Sequence, residues 1–239
     1  MSARTAGHGP LRPRPVVLAL APSPIGAGNG DIPALAQLGG SCLVQRLLTT
    51  LSQLALPAPL VLTRDVAASR MRRLLGPAIE VRGVSGGRRS ALASALPSIQ
   101  EHAVLVLDAE RALTPVSVIT AVLSALDDPT DAVVPVIPMT DSVKLTSASG
   151  LRNVDRSTLA SLQSPRLLRR ETLEHALGSV ADDGADEILA ALACGARVRT
   201  VHGSHAGFAV VDRLGLWQAQ IELGLARDTS HRHGLTRRH

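Results

Sequence analysis

The chain is patterned as short aliphatic runs set between longer amphipathic stretches. Val16 to Ala21, Leu60 to Thr63, Ile79 to Arg82, Ala103 to Leu107, Ala132 to Pro135 and Arg197 to Val201 read as strands, because brief runs of Val, Leu and Ile fit buried strands. Helical spacing appears near Cys42 to Ala55, Val66 to Leu75, Arg88 to Leu96, Pro115 to Leu126, Arg169 to Leu177, Gly184 to Cys194 and Leu214 to Leu225. The alternation predicts an α/β protein with a mostly parallel sheet flanked by helices, in one domain over residues 16–226. One stretch differs. From Thr140 to Gln163 the text TDSVKLTSASGLRNVDRSTLASLQ alternates polar and apolar positions around Ser149-Gly150, which predicts a hairpin. A two-stranded excursion is marginal alone in water, so this protruding β-arm, residues 140–163, is expected to pack on a second copy of the chain.

Composition narrows the class. With one Trp, one Phe and no Tyr in 239 residues, the core must be built from Ala, Val, Leu and Ile, as buried parallel strands are. The composition argues against modules that stack bases on aromatic side chains, and nucleic acid, through the basic ends, is only a distant alternative partner. The formal net charge of +5 is almost all arginine, Lys144 being the one lysine. Basic residues crowd the ends, and 1–15 and 227–239 read as solvated, disordered tails. The run VVLALA is too short for export or for crossing a membrane. Cys42 and Cys194 lie in no metal-ligand spacing and read as reduced core thiols of a cytoplasmic protein.

In an open parallel sheet, ligands bind beyond the carboxyl ends of the strands. Ser23 follows the first predicted strand, Ser85 to Ser90 the third, and Asp108 with Arg111 the fourth. In VLVLDAERALTP, a carboxylate at the end of an aliphatic strand can hold a metal ion or a ribose; it can equally cap the turn that follows. Lys144 and Arg156 flank the hairpin turn, where they either face an anion across a subunit boundary or solvate an exposed arm. Asp182 and Asp183 precede a predicted helix and suit its positive end. His202 and His205 have no third partner at metal-ligand spacing.

Taken in order, these segments resemble the 2-C-methyl-D-erythritol 4-phosphate cytidylyltransferase family over nearly all of Val16 to Ala226. DAVVPVIPMTDSVK is similar to the family's AVVPVxPxTDTIK, and VDRSTLASLQSP to VDRxxLxxxQTPQ. LDAERAL, the ADDGADE that starts at Ala181, and VHGSHAGFAVVDRLGL follow HDAARPL, TDDAS and VxGSxxNFKITTPxDL in the same order. The resemblance implies a Rossmann-like nucleotidyltransferase fold and a homodimer whose arms complete the partner's site. It implies transfer of a cytidylyl group from CTP to 2-C-methyl-D-erythritol 4-phosphate, a sugar-alcohol phosphate, in isoprenoid precursor biosynthesis. Mg²⁺ is implied as cofactor, near Asp108. Ala21, Ser23, Gly83, Ser90, Asp108 and Arg111 are implied for the nucleotide; Thr140, Asp141, Lys144 and Ser164 for the acceptor; and Arg156 for the acceptor phosphate.

The chain departs from that pattern at its cations. The family's first loop, PAAGSGxR, is ALAPSPIG here: Pro22 and Pro24 replace glycines, and Gly26 stands at the arginine. Proline also removes two backbone donors. Pro33-Ala34 replaces Pro-Lys, and in GFA the residue Ala209 stands at the lysine of NFK. Arg88 and Arg89 of GVSGGRRS lie near the expected cytidine loop and are candidates to compensate. Three readings follow: a divergent cytidylyltransferase, a noncatalytic relative that binds or regulates, and a nucleotidyltransferase of changed substrate.

Overall fold

The computed structural model describes residues 12–22, 32–147, 150–179 and 181–224. Ser23, Gly26 and Ser149 lie outside the described residues, as do most of both basic tails. From the N-terminus the elements are β1 (Arg14–Ala19), β2 (Gln37–Leu38), β3 (Ser41–Cys42), α1 (Leu43–Leu51), β4 (Leu60–Arg64), α2 (Asp65–Leu75), β5 (Glu80–Val84) and α3 (Arg88–Ala95). Next come β6 (Ala103–Asp108), α4 (Val116–Ser124), β7 (Ala132–Pro138), β8 (Val143–Ser147), β9 (Gly150–Val154), β10 (Ala160–Leu162) and β11 (Arg166–Arg169). The chain continues through α5 (Arg170–Ser179), α6 (Glu187–Ala193), β12 (Val198–His202) and α7 (Arg213–Glu222). The expected N-terminal tail thus ends early, with Arg14 and Pro15 already in β1.

β5, β4, β1 and β6 lie side by side and parallel; β4, β1 and β6 read as aliphatic runs because both faces are covered, whereas β5, EVRGV, is the sheet edge and buries only Val81 and Val84. Val17, Val61, Leu105 and Leu107 pack on one face with Leu43, Val44 and Leu47 of α1, Met71 of α2 and Ile119 of α4. Val16, Leu18, Val104 and Val106 pack on the other with Leu92 of α3, Leu173 of α5 and Ile188 of α6. Helix ends follow local chemistry. α2 stops at Gly76, whose φ of 74° suits glycine. Asp186 caps α6 by accepting from the Ile188 and Leu189 amides.

β7 carries β12 in parallel along one side and the antiparallel β10 and β11 along the other, so β11 lies between β7 and β6. The hairpin is narrower than its sequence pattern implies. Its two strands are β8 and β9, while residues 160–162, assigned to the arm from sequence, return to the main sheet as β10. β11 has no counterpart among the strands expected from the pattern, and its last residue, Arg169, stands at the start of the expected helix. Leu162 pairs with Val136 but Leu167 pairs with Val133, so Ser164 and Pro165 are two extra residues taken up in a bulge. That bulge brings Ser164 and Arg166 to the carboxyl end of β6.

Candidate functional site

The carboxyl ends of β1, β4 and β6 open into a cavity of about 500 Å³, lined among others by Leu20, Ala21, Arg64, Gly87, Arg88, Asp108, Glu110, Arg111 and Ala209. Its centre is electrostatic. Asp108 ends β6 and accepts from Arg88 Nη1 at 2.6 Å through Oδ1 and from Arg166 Nη1 at 2.8 Å through Oδ2. Its backbone N–H donates to Ser164 Oγ at 3.0 Å. Arg88 also grips Glu187 with two nitrogens, Nε at 2.6 Å and Nη2 at 2.8 Å. Arg166 reaches Asp186 through Nη2 at 2.9 Å.

Burial alone would raise the Asp108 carboxyl, but the two guanidinium groups hold it well below the usual carboxylate range. Burial likewise disfavours the charge on Arg88 and Arg166, and the facing carboxylates more than restore it. Glu110, two residues on, is treated differently. It is 6% exposed, its Oε1 has no hydrogen-bond partner among the described residues, and burial together with the neighbouring Asp108 pushes its carboxyl up to about 7. Arg111 points one nitrogen at the Gly207 carbonyl, 2.6 Å away, and its Nε lies 3.9 Å from Asp108. Arg64, at the end of β4, has no hydrogen-bond or ion-pair partner among the described residues.

The wall behind Arg88 is held by Asp183. Its carboxylate accepts from the backbone N–H groups of Gly87 and, at 2.7 Å, Ser90. Its carbonyl accepts from the Arg89 amide at 3.0 Å. Asp183 therefore caps α3 from across the cleft rather than the helix that follows it in sequence.

This architecture, a parallel sheet with a polar cavity at its carboxyl edge and an antiparallel arm-bearing insertion, agrees with comparisons to known proteins. The sequence model for 2-C-methyl-D-erythritol 4-phosphate cytidylyltransferase matches residues 23–225. The enzyme of that name from Frankia casuarinae is 33% identical over 195 residues, covering 77% of this chain and 71% of its own. The chain belongs to the 2-C-methyl-D-erythritol 4-phosphate cytidylyltransferase family. The Rhodococcus jostii member is 30% identical, over 84% of this chain and 92% of the relative. A bifunctional IspD/IspF enzyme of Clavibacter michiganensis is 34% identical over 89% of this chain, which spans only 54% of that longer relative. A solved 4-diphosphocytidyl-2C-methyl-D-erythritol synthase from Anaerococcus prevotii has the same fold, with a TM-score of 0.75 at 16% identity over 90% of this chain and 96% of the other.

Within the cytidylyltransferase frame, the structure brings some expected residues together and separates others. Ala21, Asp108, Arg111 and Ala209 line the cavity, and Ser164 abuts it through Asp108. Gly83 lies elsewhere, its α-carbon face against Asp65 and Ala68 of α2. Ser90 faces Asp183 rather than the cavity. Ala34 is fully buried in the core. Thr140, Asp141, Lys144 and Arg156 sit at the exposed base of the arm, where Arg156 Nη1 donates to the Thr140 carbonyl at 2.6 Å and Lys144 Nζ donates to Asn153. None of the four lines the cavity. Sequence reasoning missed Arg64, Glu110, Arg166 and Glu187. The available signals were Arg64 closing a strand, Glu110 at the second alanine of HDAARPL, and Arg166 at the last glutamine of QTPQ.

The family's implied cation can be tested against these donors. Both oxygens of Asp108 are held by arginines, which leaves Oε1 of Glu110 as the unpartnered carboxylate oxygen of the lining. Among the described residues, no three His, Cys, Asp or Glu side chains group as a protein-only metal site would need. The donors fit a cation carried in on phosphates and do not fit one held by protein alone.

Proposed function

We propose that this chain binds CTP at the β1–β4–β6 cavity and transfers its cytidylyl group to a sugar-alcohol phosphate, 2-C-methyl-D-erythritol 4-phosphate, in isoprenoid precursor biosynthesis. The observation that carries the reading is the set of arginines at the strand ends: the Arg64 side chain has no partner among the described residues and Arg111 hydrogen-bonds through one nitrogen, so both offer donors to an anion in the cavity. In the reaction an oxygen of the acceptor phosphate attacks the α-phosphorus of CTP. A new P–O bond forms as the bond to the β-phosphate oxygen breaks, and pyrophosphate leaves with the electron pair. Preorganised cations opposite the developing charge are the main source of acceleration in such transfers. Mg²⁺ arriving with the nucleotide would add charge at the phosphates.

Ser164 and Arg166 position Asp108, while Arg156, Lys144, Thr140 and Asp141 are assigned to the acceptor across a subunit boundary. A homodimer through the arm is supported by its exposure: Leu145 is 48% and Leu151 72% exposed on a hairpin that, among the described residues, pairs only with itself. The proposed domain is one unit over residues 16–226, at work in the cytoplasm; among the described residues no helix is long and apolar enough to cross a membrane.

A second reading is favoured by one observation. Arg88, one of the two arginines expected to compensate for the lost loop cations, spends all three nitrogens on Glu187 and Asp108. A noncatalytic relative that binds nucleotide without turning it over follows from that. Pyrophosphate release from CTP, Mg²⁺ and 2-C-methyl-D-erythritol 4-phosphate decides between them: release well above the protein-free rate supports the transferase, and CTP binding without release supports the binder.

A further inference from the structure

Glu110 is the cavity residue that the proposed reaction leaves without a role. Its side chain is enclosed, one carboxylate oxygen has no hydrogen-bond partner among the described residues, and it lines the same cavity as Arg64 and Arg111. An unpaired buried acceptor is costly and rarely retained without a reason. Among the described residues no cation fills the gap. Arg88 and Arg166 are committed to Asp108 and to the carboxylates of Asp186 and Glu187, and Arg111 is turned toward Gly207 and Asp108. The backbone of Ala21 and of Glu110 itself is the source of the hydrogen bonds that the carboxylate does receive.

We infer that Glu110, and not Asp108, supplies the protein oxygen that holds a divalent cation entering the cavity on the phosphates of a nucleotide. This rests on the nucleotide-binding reading above. Mg²⁺ keeps several waters and is usually held by one or two carboxylates together with substrate phosphates, so a single free oxygen is a sufficient foothold. Without the cation, Glu110 places negative charge opposite a polyanion. With it, the same charge attracts the metal–nucleotide pair, because a bound cation inverts the local electrostatics. The loss of cations from the first loop and the gain of a carboxylate at position 110 then belong together: positive charge enters with the ligand instead of being built into the loop.

Calorimetric titration of the full chain with CTP, in Mg²⁺ and separately in EDTA, tests the assignment. The wild type is expected to bind CTP at least about tenfold more tightly with Mg²⁺, and E110Q to lose most of that difference. Electron paramagnetic resonance of Mn²⁺ with CTP reads the cation directly; E110Q should fail to immobilise it. E110A, the family's residue at that position, is the second variant, and thermal melts establish that each protein is folded. Unchanged cation dependence in both variants overturns the assignment while leaving the nucleotide reading intact. Tighter binding of CTP by the variants in EDTA with the Mg²⁺ effect preserved also overturns it, since Glu110 would then only repel. Absence of CTP binding by the wild type in both conditions overturns the nucleotide reading together with this one.

Discussion

Arg166 donates from Nη1 to Asp108 Oδ2 at 2.8 Å, and that contact joins the antiparallel strand β11 to the carboxyl end of the parallel strand β6. The same guanidinium meets Asp186 at 2.9 Å, so one side chain ties the sheet to the start of α6. Removing it would leave Asp108, Asp186 and Glu187 facing one another, with Arg88 and the longer contact from Arg111 to compensate. Deleting one partner of a buried ion pair commonly costs about 3 to 5 kcal/mol. R166A is therefore expected to lower the urea-unfolding free energy by about that much; a loss under about 1 kcal/mol would remove the network from any structural role.

Glu110 gives the protein a stability that declines toward alkaline pH. Its carboxyl titrates near about 7 when folded, against an ordinary value of 4.5, so between those values the folded chain holds a proton that the unfolded chain has released. Stability must fall as pH rises through that window, by about 3 kcal/mol in all. Asp108, held low by its arginines, is ionised throughout the window and adds nothing to the slope. In EDTA, wild type should melt progressively earlier from about pH 5 to about pH 8, while E110Q shows little of this decline. Parallel melting curves for the two proteins would contradict the buried, unpaired state of Glu110.

The strands that frame the site were legible because each is buried on both faces: the run AVLVLD of β6 has no polar residue until Asp108, and that position marks the ligand edge directly. Asp108 and Arg111 could be found in this way. β11 could not. Its RLLR text carries a buried arginine, which a hydrophobic pattern scores as surface; the burial is made possible by Asp108, Asp186 and Glu187, which lie far from it along the chain. Glu110 was hidden for a related reason. Spacing drew attention to 108 and 111 as a pair, whereas the enclosure of 110 depends on Ala21 and on the turn after β6. Asp183 was legible as a helix cap but not as the cap of α3.

The clamp at Asp183 makes Gly87 sensitive to a single methyl group. A Cβ there would stand 2.7 Å from the Asp183 carbonyl oxygen, which is backbone and has little freedom to retreat. G87A should push the loop away from Asp183 and displace Arg88, at a cost of about 1 to 3 kcal/mol. Thermal unfolding measures the first effect, and weaker CTP binding in Mg²⁺ the second. A variant as stable as wild type and equally able to bind CTP would mean that the loop moves freely.

Two positions at which the family resemblance sets a lysine respond in opposite ways when the lysine is restored. Ala209 lines the cavity beside Glu110 and Arg111, so a lysine there has solvent to cross and anions to meet. A209K is expected to tighten CTP binding in EDTA by about tenfold at low salt, with the gain shrinking as salt screens it. Ala34 is fully buried, in a short turn packed with Leu35, Leu38 and Leu43. A lysine there must bring an ammonium group into an apolar core, where an unpaired charge is strongly unfavourable. A34K should therefore unfold or lose more than about 4 kcal/mol, with no gain in affinity from whatever fraction folds. Calorimetry and urea melts on the two variants separate the effects. If A34K were stable and bound CTP more tightly, the turn at Pro33 to Leu35 would have to open toward the cavity, and the loss of loop cations would be a matter of residue identity alone rather than of a rebuilt loop.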